Sequence, residues 1–211
     1  MNSNKIIENI SDWLKNYCLK SQTNGFVVGV SGGVDSAVTS TLCAKTGLPV
    51  LCLDLPIYQS KDEQSRALNH LKWLKERFSN VSFKSIDLSK TFSSFENSVE
   101  LNSNKNNLLS LANSRSRLRM TTLYYYASLN NSLVAGTGNK VEDFGIGFYT
   151  KYGDGGVDIS PIADLYKTEV FEIAKELEII SDIIKAKPTD GLWDDDRTDE
   201  DQIGATYKEL E

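Results

Sequence analysis

The sequence predicts a doubly wound, Rossmann-like α/β domain, a parallel sheet with helices on both faces, and three observations predict it. Four short apolar runs rich in β-branched residues, GFVVGV (25–30), LPVLCLDL (48–55), VSFKSIDL (81–88) and SLVAGTG (132–138), suit strands buried on both sides. Segments with helical spacing separate or follow them, at about 35–45, 61–78, 108–129 and 165–178. The first run breaks into a glycine-rich turn that opens directly into a helical pattern, so a ligand site is expected beyond the carboxyl ends of the strands.

Taken in order, Ile6, Ile7, Ile10, Trp13, Leu14, Tyr17 and Cys18 recur at helical spacing and make the first segment an amphipathic helix that packs on the rest. Gly47 falls where the helix over 35–45 needs a left-handed cap. The stretch NSNKNN (102–107) reads as a surface loop. With 211 residues, 40% of them hydrophobic, residues 1–211 fit one globular domain large enough to bury a core.

Composition narrows the partners. A formal charge of −6 argues against nucleic acid and anionic membrane, because phosphate-rich surfaces need clustered Lys and Arg. Charges at Lys5, Glu8, Asp12, Lys15 and Lys20 interrupt the start too often for a signal peptide or a membrane span, so a cytoplasmic protein is expected. Cys18, Cys43 and Cys52 lack the paired spacing of a zinc or redox site and read as buried thiols of a reducing compartment.

The turn itself carries the first chemistry. In GVSGGVDSAV (29–38), the segment Gly29, Val30, Ser31, Gly32, Gly33, Val34, Asp35 and Ser36 leaves a strand and enters a helix. Two glycines let backbone approach a phosphate, the first helical N–H groups point at it, and the helix dipole favours its charge; the Ser31 and Ser36 hydroxyls add donors. It is neither G-x-x-x-x-G-K-[ST] nor a complete G-x-G-x-x-G. Asp35 within an anion-binding turn would repel the anion unless a cation lay between them, which makes it a candidate Mg²⁺ ligand beside the plainer reading of a capping residue.

SGGVDS resembles the pyrophosphate loop of the N-type ATP pyrophosphatases, which share the adenine nucleotide alpha hydrolase-like fold. They include NAD synthetases, GMP synthetases and tRNA-thiolating enzymes. The segment GTGNKVEDFGIGFYTKYGDGGVDISPIADLYKTEV (136–170), together with NSRSRLRM (113–120), is more specific and resembles the ammonia-dependent NAD synthetases over roughly residues 25–208. That resemblance implies ATP as cosubstrate, Mg²⁺, and a homodimer with the nicotinate nucleotide bound at the interface. It also implies ATP contacts at Thr137, Lys167 and Thr189, a second Mg²⁺ ligand at Glu142, and contacts of the nicotinate nucleotide with Arg117, Lys151 and Asp158. Asp154, in the Gly153–Gly156 turn, is either a turn residue or the carboxylate that receives ammonium.

Arg115, Arg117 and Arg119 cannot serve one ligand, since at helical pitch Arg115 and Arg119 share a face and Arg117 points away; ion pairs or structural roles are expected for the first and third. His70, in the polar stretch RALNHLKW, is expected on the surface. The acids Asp194, Asp195, Asp196, Asp199, Glu200 and Asp201 read as a solvated or capped helix start, with Trp193 packing that loop down. The sequence departs from the family in a slightly longer loop between Glu142 and Lys151, which bears on Phe148 and Tyr149. It also lacks, past Glu211, the basic His-Lys stretch that touches the dinucleotide in relatives.

The implied reaction is amidation of nicotinate adenine dinucleotide with ammonia through an acyl-adenylate, releasing AMP and pyrophosphate. The same amidation of nicotinate mononucleotide is the alternative. Further rivals are a GMP-synthetase-like or tRNA-thiolating enzyme, against which the acidic balance stands, and an inactive nucleotide-binding homologue.

Overall fold

The computed structural model describes residues 2–99, 106–189 and 198–211. Its centre is a parallel sheet in the order β3-β2-β1-β4, formed by β1 (Phe26–Gly29), β2 (Val50–Asp54), β3 (Val81–Ser85) and β4 (Leu133–Ala135). The register sets Val28 beside Cys52 and Ala135, so β1 and its two neighbours end level. The chain then crosses back, and Ile159 pairs in parallel with Ala135.

Strand periodicity divides the core. Phe26 and Val28 point to one face, where α1 (Ser3–Lys20), α2 (Val34–Lys45) and α6 (Lys167–Glu176) pack, with Leu14, Val38, Leu42 and Ile173 buried among them. Val27 and Val134 point to the other, against Phe92 of α4 (Ser89–Glu96) and Met120, Leu123 and Ala127 of α5 (Asn106–Asn130). The predicted doubly wound fold is the observed one. Gly47, at φ +75, takes the left-handed position expected beyond α2.

Three expectations need correction. VSFKSIDL is not buried on both sides: the strand stops at Ser85, and Ser82, Lys84 and Ser85 are exposed, because β3 is the sheet's edge. His70 on α3 (Lys61–Arg77) is buried, not superficial; its ring stacks on Trp73 and its Nε2 lies 3.0 Å from the Ser40 hydroxyl, and burial pushes its pKa down to about 4. The period of α3 carries it inward with Ala67, Leu71 and Leu74 despite polar neighbours. In NSNKNN, Asn106 and Asn107 open α5, while 102–105 lie outside the described residues, as do Trp193 and Asp194 to Asp196. Short helices α7 (Ser181–Lys185), α8 (Asp199–Ile203) and α9 (Tyr207–Leu210) follow α6. Among the described residues no helix is long and apolar enough to cross a membrane.

Candidate active site

Beyond the carboxyl ends of β1, β2 and β4 lies a cavity of about 410 Å³, lined by the glycine turn, α3, α5 and the segment after β4. The turn is built for close approach. Gly32 has φ +84, and a Cβ there would lie 2.8 Å from the Glu63 carbonyl and 3.0 Å from the Ala67 nitrogen, so the turn is pressed against α3. The Ser36 hydroxyl donates to the Gly33 carbonyl at 3.0 Å and receives the Ser31 N–H at 3.2 Å, which fixes the loop's curvature. Gly32→Ala is therefore expected to lower the unfolding free energy by about 1–3 kcal/mol, a loss that urea denaturation would register.

Across the turn, β4 runs into a π-helical segment, Lys140–Ile146. Asn139 is fully buried and starts it: its Oδ1 accepts the Val141 and Glu142 N–H groups, and its Nδ2 donates to Asp35 Oδ1 at 3.2 Å. One side chain thus aligns both carboxylates. Between them sits Lys167, 2% exposed, its ammonium 2.6 Å from Asp35 Oδ2 and 2.8 Å from Glu142 Oε1. Burial alone would discharge this lysine, yet the two carboxylates outweigh it and raise its pKa. Burial raises Asp35, whereas at Glu142 the pull of Lys167 overcomes burial and lowers the pKa. Tyr207 of α9 completes the group, donating its hydroxyl to Glu142, with the Lys167 ammonium 5.0 Å from its ring centre.

The two carboxylates converge on one cation, a hard oxygen pair suited to Mg²⁺ when phosphate oxygens complete the shell. Among the described residues no group of three or more His, Cys, Asp or Glu side chains forms a metal site, so those phosphates would be required.

Of the other residues singled out in the sequence, Gly29, Val30, Val34, Thr137 and Thr189 line the same cavity as Ser31 to Ser36, Glu142 and Lys167. Thr189 donates to Glu63 Oε1 at 3.1 Å, tying its segment to α3. Asp154 also borders the cavity; its carboxylate receives the Thr150 N–H at 3.1 Å and the Ser116 hydroxyl at 2.5 Å, closing the turn onto α5. Arg117, Lys151 and Asp158 lie elsewhere. Arg117 is exposed on the outer side of α5 and donates to the Lys151 carbonyl at 3.0 Å, while Asp158 accepts from Tyr124 at 2.9 Å and from the Val134 N–H at 2.8 Å.

Arg115 is buried, 5.5 and 5.3 Å from the ring centres of Tyr58 and Phe92. Arg119 turns into the cavity and bonds the Leu55 carbonyl and Gln59. Within the acidic run, Asp201 and Thr198 form the expected cap of α8, but Asp199 is buried, its Oδ2 3.4 Å from the Tyr207 hydroxyl. Sequence reasoning missed Asn139 and Tyr207. For Asn139 a signal existed, since an Asn after Gly-Thr-Gly at the head of a helical segment is a natural cap.

Residues 6–211 match the family model described as NAD synthase. An NH(3)-dependent NAD(+) synthetase of Finegoldia magna is 40% identical over 212 residues, covering all of this chain and 84% of the relative. That of Carboxydothermus hydrogenoformans is 39% identical, covering 97% and 82%. Among solved structures, an NMN synthetase from Francisella tularensis superposes with a TM-score of 0.91 at 36% identity, covering 100% of this chain and 84% of that one. The NH3-dependent NAD synthetase from Campylobacter jejuni gives 0.78 at 37% identity, covering 88% and 77%.

Proposed function

Because this chain belongs to the NAD synthase family, we propose that it amidates nicotinate adenine dinucleotide to NAD with ammonia and ATP, releasing AMP and pyrophosphate. It is a ligase that forms a carbon–nitrogen bond. The observation that carries the mechanistic reading is the Asp35–Lys167–Glu142 bridge at the mouth of the glycine turn.

In this reading the turn from Gly29 to Ser36, with Thr137 and Thr189, holds the triphosphate, and Asp35 and Glu142 would hold Mg²⁺, which would supply charge neutralisation on the phosphate oxygens. The nicotinate carboxylate attacks the α-phosphorus, the bond to the bridging oxygen breaks, and pyrophosphate leaves with the electron pair. Lys167, held protonated by its two carboxylates, stabilises charge growing on those oxygens. Ammonia then attacks the acyl carbon and expels AMP. Asp154, at the cavity wall, is assigned to orient the incoming ammonium. Arg117, Lys151 and Asp158 face outward, which suits a nicotinate nucleotide held between two copies of the chain. Tyr125 and Leu129, 63% and 67% exposed farther along α5, suit the same homodimer. We read residues 1–211 as one ATP-pyrophosphatase domain acting in the cytoplasm.

The test is product analysis with Mg-ATP, ammonium and nicotinate adenine dinucleotide, for which NAD, AMP and pyrophosphate are expected; ADP and phosphate would overturn the reading. Ammonium should outrun glutamine. Hydrolysing glutamine needs a reactive thiolate, and Cys18, Cys43 and Cys52 are buried, with burial pushing Cys52 up to about 12. Equal rates with both donors would refute this. A second reading, amidation of nicotinate mononucleotide, is favoured by the likeness to the Francisella tularensis NMN synthetase. The ratio of kcat/KM for the two nucleotides decides between them, a tenfold (~1.4 kcal/mol) mononucleotide preference selecting the second.

A further inference from the structure

We propose that Arg66 is a further phosphate-binding residue of this site, one that pairs with the β- and γ-phosphates of ATP and retains the pyrophosphate once it forms. The inference rests on the ATP-pyrophosphatase reading above.

Charge makes such a residue necessary. ATP carries about four negative charges and Mg²⁺ returns two, while Asp35, Glu142 and Lys167 together contribute one net negative charge to the same space. The backbone dipoles of the glycine turn offset only a fraction of an elementary charge. Further fixed cations are needed where the distal phosphates lie.

The cavity's cations can be taken in turn. Lys167 is already counted in that sum: it is bonded to Asp35 and Glu142, whose two charges exceed the one it brings to the leaving oxygens. Arg119 is held by the Leu55 carbonyl and Gln59. Lys187 lies close enough to Asp201 to pull that carboxyl below its ordinary range, after Thr198 has done so by hydrogen bonding. Arg66 lines the cavity, and its Nε is buried with no hydrogen-bond partner. An arginine Nε buried at a cavity wall without an acceptor costs free energy that a ligand oxygen would recover.

Position supplies the rest. Arg66 lies one helical turn after Glu63 on α3, and Glu63 fixes both the helix start, through Ser60, and the Thr189 segment. Its Cβ would stand 3.2 Å from a Cβ added at Gly32, so the side chain leaves the helix beside the phosphate-binding turn. A guanidinium there offers a planar fork to phosphate oxygens. When the α–β bridging bond breaks, the electron pair passes to the pyrophosphate oxygen, and Arg66 takes up no proton and gives none.

The experiment compares Arg66→Ala and Arg66→Lys with the wild-type chain in the presence of Mg²⁺. Binding of inorganic pyrophosphate is measured by calorimetry, with its inhibition constant and the KM of ATP from kinetics. Arg66→Ala should weaken pyrophosphate binding and raise the KM of ATP roughly tenfold to hundredfold, with Arg66→Lys recovering part. Inhibition by AMP, which lacks the distal phosphates, and the KM of ammonium should stay within twofold, as should the thermal midpoint within a degree or two. Pyrophosphate binding unchanged in Arg66→Ala overturns the proposal, and so does an equal loss of AMP and pyrophosphate affinity. A wild-type chain that made no AMP would instead remove the functional reading on which it rests.

Discussion

Asp35→Asn is expected to lower turnover roughly a thousandfold, the rate equivalent of about 4 kcal/mol, while leaving a folded protein. The asymmetry follows from charge. Asp35, Glu142 and Lys167 form a buried trio with one net negative charge, and replacing Asp35 leaves a neutral Lys167–Glu142 pair that remains bonded at 2.8 Å. Asparagine keeps the shape of the side chain and can still accept from Lys167. What disappears is the second carboxylate of the proposed Mg²⁺ site and the charge that recruits the ion to the phosphates. Steady-state kinetics across a Mg²⁺ titration, with circular dichroism on the same samples, provides the check. Turnover within tenfold of wild type at ordinary Mg²⁺ would remove Asp35 from the metal site.

The sheet was legible because parallel strands covered on both faces read as apolar runs, and the glycine turn because a left-handed Gly32 pressed against α3 leaves a compositional mark. Local signals also located Asp35, Glu142 and Lys167 once the resemblance was taken into account. How Lys167 divides itself between the two carboxylates was not legible. Its partners lie 132 and 25 residues away, and only the crossing of β4 back toward β1 brings them together. Tyr207 also comes from a distance, 65 residues from Glu142, on a helix of four residues whose sequence announces little. His70 misled because neighbour polarity was weighed above helical phase. Arg66 escaped notice for the opposite reason: arginine in a helix is ordinarily solvated, and only the structure shows its Nε buried without a hydrogen-bond partner at the cavity wall.

Lys167→Met should produce the complementary result, a large loss of both stability and turnover. Removing the ammonium leaves Asp35 and Glu142, both largely buried, facing one another without a counter-charge, and breaking a buried ion pair from one side costs about 3–5 kcal/mol. Methionine matches the stem in volume, so the loss reports charge and not a cavity. Chemical denaturation with chelator present isolates this effect, since bound cation would mask it. The same chain tested with Mg-ATP should lose turnover roughly a hundredfold or more, because the charge proposed to meet the leaving phosphate is gone. A cycle with Asp35→Asn separates the roles. If the cost arises from two uncompensated carboxylates, the double variant should be more stable than Lys167→Met alone, with a coupling energy of about 1–3 kcal/mol, while remaining inactive. Additive losses would mean that Lys167 stabilises the fold through its packing under Tyr207, whose ring centre lies 5.0 Å from the ammonium, and not through the carboxylate bridge.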